Sequence, residues 1–144
     1  MKRFLLALCL VLPLSGCKLI TAAPTPGVTQ FYSQAALVIN DFSGILLQAQ
    51  QLFATAHGTG LVSDADYAAG TQAFKSIATN GDSIYSLLKA GGDQATITAQ
   101  IKALIAQVGT MPTAFHINNP AAQAQFTALT AAMQSVLDAT ASLI

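Results

Sequence analysis

Few side chains of this chain could do chemistry: Cys9 and Cys17, His57 and His116, six aspartates and a scatter of serines. A thiol is the strongest nucleophile among them once it ionises. A zinc-like ion needs His, Cys or carboxylate ligands that converge, and His57, Asp64, Asp66 and His116 form the one set with that composition. Their spacing has no HxxH or HExxH regularity. Asp64 and Asp66 also fall at the start of a helix, where negative charge is favoured. Helix capping with two solvent-exposed histidines therefore competes with metal ligation and accounts for the same residues. Other chemistries lack their residues. There is no CxxCH for c-type haem, and both histidines sit near helix ends, which disfavours b-type haem. Glu is absent, so the Glu-x-x-His di-iron pattern cannot form. A serine nucleophile wants a positioned base and an orienting acid, and no serine here has such helical neighbours. No catalytic residue, cofactor or metal is assigned.

The first twenty residues are more specific. Lys2-Arg3 precede an eleven-residue apolar stretch, Phe4 to Leu14, interrupted only by Pro13. A bilayer-spanning helix needs about 20 apolar residues, and Pro13, Gly16 and Lys18 intervene before that length. A charged start, a short apolar run and small residues before a cut are the marks of a secretory signal peptide. Leu14-Ser15-Gly16-Cys17 resembles the lipobox of bacterial lipoproteins. The resemblance covers residues 1–18. It implies that residues 1–16 are removed and that the Cys17 sulfur forms a thioether to diacylglycerol. It further implies that the freed amino group is acylated, palmitate being a typical chain. Each buried methylene adds about 0.8 kcal/mol, and stable anchoring takes more than one chain. The competing reading is an ordinary signal peptide whose first mature residue happens to be Cys. On the lipoprotein reading Cys9 is discarded and Cys17 carries lipid, leaving neither a free thiol nor a disulfide in an oxidising compartment. In Gram-negative lipoproteins an Asp after the acylated Cys commonly marks inner-membrane retention. Lys18 in that place implies the outer membrane, a rule that lapses in a host with one membrane.

Three regions result: a signal peptide at 1–16, a lipidated N-terminus and flexible linker at 17–27, and a domain at 28–144. Pro24, Pro26 and Gly27 resist both helix and sheet, and residues 18–27 reach at most ~35 Å. After Cys17 four lysines stand against six aspartates, a net −2. No basic patch exists, which argues against nucleic acid and against electrostatic membrane binding. Charged residues make up 8% of the chain, against about 25% in ordinary domains. Such a surface suits compositional drift in an exported protein. It also suits cover in use by a protein partner, by self-association or by an apolar ligand.

Four helical segments follow the linker. Val28, Phe31, Ala35, Val38, Phe42, Ile45, Ala49, Leu52 and Ala56 recur at spacings of three and four, a period of 3.5. Gly58 and Gly60 end this segment. The second opens at Ser63 with Asp66 as a capping-box variant, and its stripe is Tyr67, Gly70, Phe74, Ile77, Gly81, Ile84 and Leu88. Gly70 and Gly81 on that stripe imply close approach of a neighbour. Gly91-Gly92 stop it, and Asp93 caps a third segment marked by Ile97, Ile101, Leu104, Ile105 and Val108 and ending at Gly109. Thr110 to Asn118, with Pro112, reads as an apolar link. Asn119-Pro120 opens the last helix, with Ala122, Phe126, Leu129, Met133, Val136, Thr140 and Leu143 on one face.

The expected fold is all-α, an up-down-up-down antiparallel four-helix bundle. A 28-residue helix is ~42 Å long, whereas ~16 residues give ~24 Å, so the link containing Met111, Phe115 and Ile117 must fill the missing length. Phe53, Tyr67, Met111, Phe115, Ile117 and Phe126 then meet at the end away from the lipid. There they either line an apolar ligand pocket or plug the core. The leading expectation is a membrane-anchored, non-enzymatic binding or structural module of the bacterial envelope. A carrier of an apolar small molecule or lipid is the alternative from another class. A phage-encoded surface-exclusion lipoprotein is a third, which no residue singles out.

Overall fold

The computed structural model describes the backbone of residues 30–144 and the side chains from Tyr32 onward. The expected signal peptide, Cys17, the expected linker and the expected first stripe position Val28 lie outside the described residues, as does the Phe31 side chain. Four helices make up the fold: α1 (Gln30–Gly58), α2 (Asp64–Ala90), α3 (Gln94–Ala114) and α4 (Pro120–Ser142). The all-α, four-helix expectation holds. α1 packs on α2 and α4, and α3 packs on the same two, while the backbones of the diagonal pairs stay apart. Partners across the two seams of α3 count in opposite directions. Asn80 bonds Gln107 and Ser83 bonds Gln100 between α2 and α3. Gln123 bonds the Pro112 carbonyl and Gln134 the Ile105 carbonyl between α4 and α3.

The helix ends follow from local chemistry. The Ser63 hydroxyl accepts from the Asp66 N–H at 3.1 Å and donates to the Asp66 carboxylate at 2.7 Å. Asn119 accepts from the Ala122 N–H, with Pro120 in the first helical position. α1 ends where Gly60 turns left-handed (φ 76°) and the Leu61 N–H returns to the Ala56 carbonyl. α2 ends the same way at Gly91 (φ 67°), the Gly92 N–H returning to the Leu87 carbonyl. Both are left-handed caps that glycine adopts at least steric cost.

Asp93 caps α3 by accepting from the Thr96 hydroxyl and from the Thr96 N–H, each at 2.8 Å. The hydroxyl first and then the amide hold its carboxyl below the usual 3.8. A depressed folded-state pKa means stability that is present above the unfolded value and lost as pH falls through the folded one. Asp93→Ala should therefore lower the melting temperature at pH 7. It should also flatten the fall in stability below pH 4, and thermal melts across pH read both effects.

The α2 stripe is buried as expected: Gly70, Phe74, Ile77, Gly81, Ile84 and Leu88 face the core, with Tyr67 half-buried at the end. α1 and α4 are rotated from expectation. α1 buries Ala35, Ile39, Phe42, Leu46, Ala49, Phe53 and Ala56. Ile39, Leu46 and Phe53 replace Val38, Ile45 and Leu52, which are half-buried flanks. α4 buries Phe126, Thr130, Met133, Leu137 and Thr140, so Thr130 and Leu137 replace Leu129 and Val136. The two threonines give their hydroxyls to the carbonyls of Thr127 and Val136 and so enter the core satisfied.

α3 departs most from expectation. It does not end at Gly109 but continues through Pro112 to Ala114. Gly109 is a point of close approach, since the Gln134 amide lies 2.7 Å from where its β-carbon would be. Met111 extends the Leu104–Val108 stripe and is buried, a gain of about 1.5–3 kcal/mol for a side chain of that size. Pro112 sits in the last turn, so the helix it interrupts has little left to lose. The link thus shrinks to 115–119. Phe115 and Ile117 within it are buried and make up for the shorter helix.

Candidate functional site

The first and third connections share one end of the molecule, tied by the Asn118 N–H donating to the Leu61 carbonyl at 2.8 Å. Phe53 is the centre of that end. Its ring centroid lies 5.9 Å from Tyr67 and 5.8 Å from Phe126 in stacked pairs. It lies 5.8 Å from Phe74 and 5.7 Å from Phe115 in edge-to-face pairs. Phe74 and Phe126 close the ring of contacts at 6.3 Å. These are the separations at which aromatic pairs attract beyond their buried area.

The six residues proposed for an apolar site thus come to one core. Phe53, Tyr67, Phe115 and Phe126 join in the aromatic cluster, and Met111 and Ile117 are buried in the same apolar body. Phe53 packs directly against Tyr67, Phe115 and Phe126. Gln123 closes the link over them: its carbonyl oxygen accepts from the Ile117 N–H at 2.8 Å, and its amide donates to the Pro112 carbonyl at 3.1 Å. Sequence reasoning missed Gln123, because nothing in its type or spacing marks it. An open groove of about 460 Å³ lies along Gln94, Thr98 and Lys102 of α3, near the opposite end. There the Gln94 amide donates to the Ile144 carbonyl.

The polar candidates divide. The His57 imidazole stacks on Tyr67 at 4.0 Å with an interplanar angle of 5°. Its Nε2 lies 2.8 Å from the Asp64 carboxylate, which is fully exposed. Asp66 is engaged by Ser63 in the α2 cap, and His116 is exposed. Among the described residues no three His, Cys, Asp or Glu side chains converge as a metal site would require. What the geometry builds here is a clamp between the end of α1 and the start of α2.

No protein-family model, curated protein or solved structure matches this chain. Among the described residues no helix is long and apolar enough to cross a membrane.

Proposed function

We propose that this protein is a bacterial lipoprotein, held to a membrane by acyl chains on Cys17, whose helical domain serves as a binding or structural module of the envelope. The observation that carries the reading is Leu14-Ser15-Gly16-Cys17 behind a basic start and a short apolar run. Attachment runs through one side chain: the Cys17 sulfur displaces the phosphate headgroup of a membrane phospholipid at its glycerol carbon, so that a C–S bond replaces the C–O bond and the thiol proton leaves with the headgroup. Removal of residues 1–16 frees an amino group that takes a further chain. Two or more chains convert reversible membrane contact into stable anchoring. With Lys18 next to the acylated residue, the outer membrane of a Gram-negative envelope is the expected destination.

The domain suits a module that binds or supports. Its surface is mostly Ala, Thr, Ser and Gln, and its one exposed His–Asp pair serves the α1–α2 junction. The native chain, expressed in a Gram-negative host with radiolabelled palmitate, should carry label and fractionate with membranes. Cys17→Ala should lose both. Label that persists in Cys17→Ala, or unchanged membrane association of that variant, would overturn the reading.

A further inference from the structure

α1 carries a second heptad stripe on its outer side. Leu37, Asn40, Gly44, Leu47 and Gln51 follow spacings of three, four, three and four, and all five are exposed. Leu37 and Leu47 are the most exposed large apolar residues described, at 63% and 53%. Gly44, between them, is the notable member. Four glycines lie within the described helices away from their ends, and three meet a neighbour. A β-carbon would touch Phe53 at Gly70, Phe42 at Gly81 and Gln134 at Gly109, whereas at Gly44 it would meet nothing within 4 Å. A mid-helix glycine costs stability, and at Gly44 no contact among the described residues repays it. The surface is also segregated by charge. α1 and α4 hold only Asp41 and Asp138 as formal charges, while Lys75, Lys89 and Lys102 all lie on α2 or α3.

We infer that this stripe is a self-association seam, packing α1 of one copy against α1 of a second copy in parallel. Charge and hydrogen bonding select the occupant. The stripe is uncharged, so a charged partner would be desolvated there without a counter-ion, whereas a second copy brings no charge onto it. The Asn40 and Gln51 amides have no hydrogen-bond partner among the described residues. Each both donates and accepts, so in a two-fold contact each pairs with its own counterpart. A lipid surface would leave both amides unpaired. Parallel packing sets leucine on leucine and amide on amide, and it brings Gly44 to Gly44, where the two backbones approach closely. A polar residue at one core position of a coiled coil fixes register in this way.

The test uses the full chain in non-ionic detergent, with Cys9→Ala and Cys17→Ala so that one added thiol is the only one. Leu47→Cys should form a disulfide-linked dimer under mild oxidation, while Ala128→Cys on the outer face of α4 should stay monomeric. Adding Gly44→Lys should cut the Leu47→Cys yield at least tenfold with the far-ultraviolet circular dichroism unchanged. Should Gly44→Lys lose helicity, Asn40→Asp makes the same comparison by opposing two carboxylates without added bulk. Equal linkage at both thiols, no linkage at Leu47→Cys, or a yield indifferent to the seam variants would overturn the proposal. So would protection of the Leu47→Cys thiol from maleimide by phosphatidylcholine vesicles alone, which would assign the stripe to lipid. None of these outcomes depends on acylation at Cys17, so the anchoring reading and this one fail separately.

Discussion

Phe53→Ala should destabilise the domain by about 3–5 kcal/mol, the range for truncating a large buried aromatic. Single domains are stable by only about 5–15 kcal/mol, so the change removes a large share of the margin. The reason is position: Phe53 is 1% exposed and touches Tyr67, Phe74, Phe115 and Phe126 from three other elements of the fold. Its loss removes buried area and four ring contacts together, and it leaves a cavity whose walls are held by their own pairings. Leu52→Ala, one residue earlier on a half-buried flank, should cost clearly less. Urea denaturation followed by circular dichroism measures both, and equal costs would place the wrong residue at the centre. An apolar cavity of this kind stays dry and accepts small apolar ligands. Phe53→Ala should therefore take up benzene, detectable as a raised melting temperature, and the native protein should not. Uptake by the native protein would favour the carrier reading for the same six residues.

Alanine at two glycines should act with opposite signs. At Gly70 the added methyl would lie 2.8 Å from Phe53 Cζ and nearer still to Cε1. The ring cannot swing away, because aromatic neighbours hold it. Overpacking of this sort costs about 1–3 kcal/mol, against a helix-propensity gain of about 1 kcal/mol. Gly70→Ala should lower stability, and Gly70→Val should lower it further. At Gly44 the methyl meets no atom, so Gly44→Ala should stabilise the monomer by up to about 1 kcal/mol when melted at high dilution. Gly81→Ala falls between them, its nearest atom being Phe42 Cε1 at 3.2 Å. If Gly70→Ala proved as stabilising as Gly44→Ala, the close α1–α2 contact described here would be wrong.

α2 was fully legible in the sequence. Apart from Tyr85 and Leu87, its large apolar residues share one stripe with its two glycines, so one rotation buries most of its apolar area. The caps at Ser63, Asp93 and Asn119 were equally legible, since each is a contact within three residues. In α1 the pairs Val38-Ile39, Ile45-Leu46 and Leu52-Phe53 are apolar at both positions. Two adjacent rotations of that helix then bury similar area, and the pattern does not choose. In α4 the inward residue at one such pair is Thr130, whose polarity conceals it until its hydroxyl is seen bonded to Thr127.

Local rules also misread the end of α3. Gly109 and Pro112 are ordinary stop signals, yet the helix runs through both because burying Met111 outweighs the loss of one hydrogen bond near a terminus. The aromatic cluster was foreseen as a gathering of residues, while its close packing and its closure by Gln123 depend on side chains distant in sequence.

The amino-acid order alone determined that the described body is helical, where its helices are capped, and that Cys17 closes a Leu-Ser-Gly-Cys run resembling a lipobox. The helices and caps depend on contacts within one or two turns, and the Leu-Ser-Gly-Cys run is a matter of residue type and order alone. The tertiary structure decided how α1 and α4 are rotated, that Gly70 makes room for Phe53, and that none of the described residues fills the notch at Gly44. Each of these is a contest between nearly equal local choices, settled by atoms that meet only when the helices pack.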